Sequence, residues 1–330
     1  MFTSLKKATA VALITLCPLV AKAEYPERTI ELVYPWSSGA AMSISQILAE
    51  AMSDELGVAM PVISTPGAAG TKAFLTAMNR PADGYTMIDG YVAPLVLQPL
   101  LGNADWTFKD FTPLHSAFSN AFSIAIRKDN DRWANFEEMM AYAKEHPGDL
   151  RYSSGSRNNL PHMVIAKTLQ GFGAVAQNIP YNTDTDALSD LRAGVLDFAF
   201  LGVGEYHKMP DAYKVILVLS DLEGAKQSFD GAPSIADLGI DLGLSGLAPM
   251  GWNWWLVHSD TPPERVEVLR KAMATAMARD DVQQGIKRLG FVPLQWDWDQ
   301  YDEIVSKVHD QLGEMGNALK WEEEQLSKLK

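Results

Sequence analysis

The sequence predicts an α/β protein of two domains with one cleft between them. Three observations carry that prediction. Short apolar, β-favouring runs alternate with stretches of helical periodicity, at the spacing of βαβ units and a mainly parallel sheet. One local device occurs twice, at 35–41 and 153–159, where a turn of small polar residues feeds the start of a helix. The chain of 330 residues is also long enough for two domains with real cores. If it leaves the first domain once and returns once, both turns face one cleft, and open α/β sheets bind ligands beyond the carboxyl ends of their strands. The boundaries expected are 24–120 with 250–330 for domain 1 and 121–249 for domain 2, after an N-terminal segment 1–23.

That first segment has the form of an export signal. Lys6 and Lys7 precede an apolar run over 8–20, and Ala21-Lys22-Ala23 has the small-residue form of a cleavage site. The run is too short to span a bilayer. Cys17 raises the question of lipid attachment, but Leu16 stands where such a box needs a small residue, so simple cleavage after Ala23 is expected. Cleavage would remove the only cysteine, which suits a bacterial periplasm better than a disulfide-stapled animal secretion. It would also remove three lysines and no acid, taking the net charge from −13 to −16. Such a charge excludes nucleic acid as a partner. An anionic ligand must then be held by local dipoles and a few cations. No later stretch is a transmembrane candidate, because the longest apolar runs, at 195–203 and 215–219, are strand-sized.

The first β-strand is 30–34, stopped by Pro35, which cannot donate to a ladder. Ile44, Ile47, Leu48, Met52 and Leu56 then fall on one helical face. Between strand and helix lie Trp36 and the small residues Ser37, Ser38, Gly39, Ala40 and Ala41. Small side chains there leave backbone N–H groups bare at the positive end of a helix dipole, which suits an anion. They also simply avoid clashes in a tight turn, and the sequence leaves both readings open. A strand at 60–63, a small-residue turn at 65–70, a helix at 72–79, a turn at 80–85 and a strand at 85–89 follow. A strand at 121–126 takes the chain out of the first domain, and a helix over 133–146 ends at Pro147-Gly148. The second copy of the device starts with a strand at 150–153. Its turn carries Ser154, Gly155, Ser156, Arg157 and Asn158, and its helix has Pro161 in the first turn with Asn158 or Asn159 as N-cap. Further strands are expected at 179–181, 196–201, 215–219 and 251–258, and helices at 186–193, 234–239, 261–278, 282–289 and 300–329.

These residues resemble the periplasmic solute receptors of tripartite tricarboxylate transporters, also called Bug receptors. Tyr25-Pro26-Glu27-Arg28-Thr29-Ile30 and Val33-Tyr34-Pro35-Trp36-Ser37-Ser38-Gly39-Ala40 are similar to the family's Tyr-Pro-x-(Arg/Lys)-Pro-Ile and Val-Pro-Phe-x-Pro-Gly-Gly. Pro66-Gly67-Ala68-Ala69-Gly70, Ala82-Asp83-Gly84-Tyr85-Thr86 and Tyr152-Ser153-Ser154-Gly155-Ser156 resemble its later turns, with His162 at its usual histidine. Ile179-Pro180-Tyr181 and Ala187-Leu188-Ser189-Asp190-Leu191 continue the likeness in order. The resemblance implies a type II periplasmic-binding fold that closes like a trap on a carboxylate, held by main-chain N–H groups of the two turns and by waters. It also implies ligand contacts near Thr185 and Asp186. The chain departs from the pattern at Trp36, Ala40 and Ser43, and in a C-terminal helix bearing Glu322-Glu323-Glu324. Ser43-x-x-Gln46 reads as a capping box.

Single residues keep two readings each. Trp36 stacks on a flat ligand or caps the edge of its domain. Arg157, the one cation of either turn, pairs with a distal carboxylate or points to solvent. His162 is a ligand contact or supports one through a hydrogen bond. Trp252, Trp254 and Trp255 read as core and hinge packing. Enzymatic motifs of the G-x-S-x-G, H-E-x-x-H, C-x-x-C and P-loop kinds are absent from the sequence, and no cofactor or metal is expected. The expected function is an extracytoplasmic receptor, a monomer, that delivers a small carboxylate (di- or aromatic) to the subunits of a membrane permease. The alternative is a sensor of the same fold presenting its bound state to a signalling partner.

Overall fold

The computed structural model describes residues 25–155, 157, 159–181, 183–220, 222–240 and 251–329, so the expected export segment lies outside the described residues. The chain begins with β1 (Glu31–Tyr34), α1 (Ala40–Leu56), β2 (Val62–Ser64), α2 (Thr71–Met78), β3 (Thr86–Tyr91), α3 (Gln98–Leu100) and β4 (Phe111–Asn120). A second unit holds β5 (Phe122–Arg127), α4 (Phe136–Glu145), β6 (Arg151–Ser153), α5 (Leu160–Phe172), β7 (Gln177–Asn178), α6 (Asp184–Arg192), β8 (Phe198–Gly202), α7 (Val203–Lys208), β9 (Tyr213–Val218) and α8 (Glu223–Gln227). The chain closes with β10 (Gly251–His258), α9 (Pro263–Ala278), α10 (Asp280–Arg288), β11 (Val292–Pro293) and α11 (Tyr301–Ser327).

Two sheets result, ordered β11-β4-β10-β3-β1-β2 and β7-β6-β8-β5-β9. Both are mixed, where the sequence suggested mainly parallel pairing. β1 lies parallel to β2 and β3, and β6 parallel to β7 and β8. The strands that carry the chain between sheets, β4 into β5 and back through β10, lack helical crossovers and pair antiparallel with their neighbours. β4 escaped the sequence reading because Thr112, Pro113, His115, Ser116 and Ser119 hide its alternation, although it is the longest strand. The strand expected at 179–181 is instead Gln177–Asn178, since Pro180 cannot donate to the ladder. The helix expected at 234–239 is a turn, tied down by Ser234 N–H to Asp237 Oδ2 (2.9 Å) and by Ile235 N–H to Val218 O (3.0 Å).

Trp252, Trp254 and Trp255 are all buried in the centre of the first sheet. Gly90 beside them is a packing necessity, because a Cβ there would stand 2.4 Å from Leu256 Cδ1 and 2.8 Å from the Trp254 carbonyl. The register pairs Asn253 with Tyr91 and Trp255 with Asp89, so these four share the sheet face on which Ser45 of α1 reaches Asp89. α11 runs about 40 Å. It starts on the first unit, where Tyr301 donates to the Phe108 carbonyl (2.9 Å) and its ring meets Trp254. Its far half packs against α5 of the second unit, and Glu322 there accepts from the Tyr152 hydroxyl (2.5 Å). The chain therefore passes between the units a third time, beyond the single departure and return that the sequence suggested.

Candidate functional site

The first turn hangs from the carboxyl end of β1. Thr65 N–H donates to Tyr34 O (2.8 Å) and the Ser64 hydroxyl to Trp36 O (2.7 Å), which fixes the chain as it leaves the sheet. The half-buried Trp36 ring stands edge-on to Tyr91, with centroids 5.8 Å apart. Ser37, Ser38 and Gly39 are exposed, and Ala40 and Ala41 are half-buried. Gly39 is the N-cap of α1, with extended backbone and no side-chain bond to the helix. The first helical bond runs from Ser43 N–H to Gly39 O (3.1 Å), so the N–H groups of Ala40, Ala41 and Met42 have no helical acceptor. A Cβ on Gly39 would meet nothing within 4 Å, so space is open beside them. The capping box expected at Ser43 and Gln46 does not form. The helix starts three residues earlier, and the Ser43 hydroxyl leans back on Gly39 O instead (3.4 Å).

The second turn is built differently. Asn159 caps α5, accepting from His162 N–H (2.8 Å) while its amide donates to Ser154 O (2.8 Å). Pro161 has no N–H to offer. The first turn of α5 is thus largely closed by its own residues, so of the two bare helix N-termini that the sequence suggested only the one on α1 is uncapped by a side chain. Ser154 and Gly155 are buried, and Gly155 has φ +80°, the left-handed region that favours glycine. Arg157 is exposed and forms no ion pair among the described residues, and Ser156 and Asn158 lie outside those residues. His162 is buried beneath the turn, with Nε2 2.8 Å from Glu322 Oε2, so its ring faces the C-terminal helix. Burial, then the Glu322 charge, holds the Tyr152 hydroxyl well above the usual phenol range. Thr185 and Asp186 are exposed on α6. Asp186 serves its helix: its N–H donates to Thr183 Oγ1 (3.2 Å), whose hydroxyl donates to Asp186 Oδ2 (2.8 Å).

The units meet at α7. A Cβ on Gly204 would lie 3.1 Å from Ala40 Cβ, which sets α7 against the first turn of α1. On the other side, a Cβ on Gly290 would fall 2.4 Å from His207 Cε1 and 2.6 Å from Val203 Cγ2.

Residues 44–320 match the family described as tripartite tricarboxylate transporter family receptor. The chain belongs to that family. Among its relatives is the "UPF0065 protein in gbd 5'region" of Cupriavidus necator, 24% identical over 304 residues, covering 91% of this chain and 90% of the relative. The fold is similar to that of the periplasmic binding protein BugD (TM-score 0.73, 21% identity, 89% of this chain and 98% of that one). It is also similar to an R. palustris protein solved with adipate (TM-score 0.76, 20% identity, 89% and 98% covered). The family and fold are those of substrate-binding receptors with two domains.

In this receptor two acidic side chains that the sequence reading passed over lie near the second turn. Asp184 opens α6, and its Oδ1 is 3.1 Å from where a Gly155 Cβ would be. Its pKa is raised by burial and then by the charge of Glu205 on α7. In the sequence nothing brings 155, 184 and 205 together. α7 itself has only six residues and no readable period. Among the described residues no cluster of His, Cys, Asp and Glu suits a metal ion, and no helix is long and apolar enough to cross a membrane.

Proposed function

We propose that this receptor binds a small carboxylate between its two units, on the first turn of α1, and hands it to a membrane permease. The observation that carries the reading is the bare helix start: three N–H groups without helical acceptors, an N-cap without a side chain, and open space beside Gly39. Such a terminus attracts negative charge through its dipole and its free donors together. In an acidic chain of net charge −13 this local device is what makes an anion welcome. Membership of a carboxylate-receptor family and the adipate-bound structural neighbour support the same ligand class. Adipate carries two carboxylates, but one is what the first turn requires. Trp36 offers a flat apolar wall next to that turn, and Arg157 a free cation across the cleft. The periplasm is where such a receptor works. Exported protein starting at Glu24, read by intact mass, agrees with this, and a retained N-terminus or a lipid on Cys17 rejects it.

Gly39→Asp separates binding from folding. The site has room for the side chain and an extended backbone that any residue adopts. Aspartate is a good N-cap, so the variant should gain about 0.5–1 kcal/mol of stability. Its carboxylate would also occupy the donors, so titration calorimetry should show carboxylate binding weakened by more than about tenfold, roughly 1.4 kcal/mol. Unchanged binding in a folded Gly39→Asp protein would remove α1 from the site.

A further inference from the structure

A polar hollow lies at the end of the second unit remote from the cleft. β5 runs antiparallel to β8, with Phe122 opposite Gly202 at the end where the units meet. Its last residue, Arg127, therefore lies roughly 17 Å away, at the far pole. There Arg127, Lys128 and Arg192 line an open cavity of about 520 Å³ together with Asp129 and Asp211. Cations outnumber carboxylates in it, although in the whole chain 41 Asp and Glu stand against 28 Lys and Arg. The fold itself leaves these cations underused. Arg192 ends α6, where a cation commonly offsets the helix dipole. Its guanidinium instead reaches the Met209 thioether (Nη1 to Sδ 2.8 Å) and the buried Tyr213 hydroxyl (3.4 Å), and among the described residues it forms no ion pair. A thioether is a weak acceptor, and these two contacts leave most of the five N–H groups of an arginine to be filled. Arg127 meets Asp129 through Nε (3.4 Å), while its terminal nitrogens hold no carboxylate among the described residues. Nη1 lies over Gly194, 3.2 Å from where a Cβ would be, and the φ of +74° there favours glycine as well. Lys128 is held by its backbone, N–H to Ala212 O (3.1 Å), with an exposed side chain that forms no ion pair among the described residues.

We propose that this hollow is a second anion site, for a phosphate or phosphate monoester, independent of the cleft. Two guanidinium forks and an ammonium call for at least three acceptor oxygens on one centre, carrying two negative charges. A phosphate monoester supplies both. A carboxylate has one edge and one charge, and satisfies a single fork. Met209, 44% exposed beside Arg192, offers apolar surface to the remainder of an ester.

Methyl NMR of the processed protein carrying methyl-labelled methionine locates the site, with the Met209 signal assigned through Met209→Leu. Titration with inorganic phosphate should shift that signal and leave the signal of Met42, in the first turn of α1, in place. Calorimetry at constant ionic strength should show phosphate binding more than about tenfold tighter than acetate, and glycerol 3-phosphate at least as tightly as phosphate. Arg127→Ala and Arg192→Ala should each weaken phosphate by about tenfold or more, the worth of a hydrogen bond to a charged group, with melting temperatures near wild type. A shift of Met42 alone would place the phosphate on the helix start and overturn the polar site. So would the absence of any shift, or unchanged phosphate affinity in both arginine variants. Acetate binding as tightly as phosphate would overturn the ligand class. Flotation of the protein with phosphatidylglycerol vesicles, undiminished by phosphate, would make the hollow a membrane patch and overturn it too.

Discussion

Asp89 is fully buried, accepting from the Ser45 hydroxyl (2.6 Å) and from the Asn253 amide, and so ties α1 to β10 through one carboxyl group. Burial pushes its pKa up to about 7, against the lowering effect of both hydrogen bonds. The ordinary value is 3.8, so between these limits the folded protein keeps a proton that the unfolded chain has lost. The stabilisation is complete below the unfolded value and disappears as pH rises through the folded one. Asp89→Asn stays neutral throughout. Its stability relative to wild type should therefore climb between pH 5 and pH 8, by at most about 1.4 kcal/mol for each pH unit below 7. Urea unfolding of both proteins at the two pH values checks this, and a constant difference would mean that Asp89 titrates normally. Arg157 is a second case where one residue decides an outcome. Arg157→Ala should weaken carboxylates by about 1.5–3 kcal/mol if its guanidinium meets the ligand. It should also flatten the salt dependence of association, read by stopped-flow mixing.

α11 makes the sharpest prediction at the scale of elements. Glu322 is buried with Tyr152 and His162 as partners, whereas Glu323 and Glu324 beside it are exposed. Glu322→Ala should cost about 1–3 kcal/mol through the donors left unpaired. Glu323→Ala should stay within about 0.5 kcal/mol of wild type, and thermal melts of the pair decide the matter. The glutamate run was visible in the sequence as a departure, but its target was not, because Tyr152 and Glu322 are brought together only by tertiary packing. Elements with a local cause were legible. β1, the small turn and α1 follow from Pro35 and the helical spacing of Ile44, Leu48 and Met52, and Asn159 and Pro161 announce the start of α5. β4 was not, since a strand buried between neighbours can carry Pro113, His115 and Ser116 without alternation. Of the candidate site, the residues of both turns were legible as motifs. The proximity of Asp184 to Gly155 and to Glu205 was not, because it arises only from tertiary packing.

For the whole molecule, receptors of this fold respond to ligand by hinge closure, and small-angle scattering should record a smaller radius of gyration with a saturating carboxylate ligand than without. An unchanged radius would argue against a trap. The three passages between the units make a further demand on that motion. β4 and β10 are hydrogen-bonded neighbours, with Asn120 opposite Gly251, so the first exit and the return lie side by side and form a compliant seam. α11 is a stiff rod, anchored at one end by Tyr301 and at the other by Glu322. A gate hung on a seam and braced by a rod cannot swing freely. It can only twist along the brace, bend it, or pull out one anchor. The open and closed forms of this receptor should therefore lie closer together than a two-strand hinge alone would allow. Loosening the brace, as Glu322→Ala does, should widen the swing.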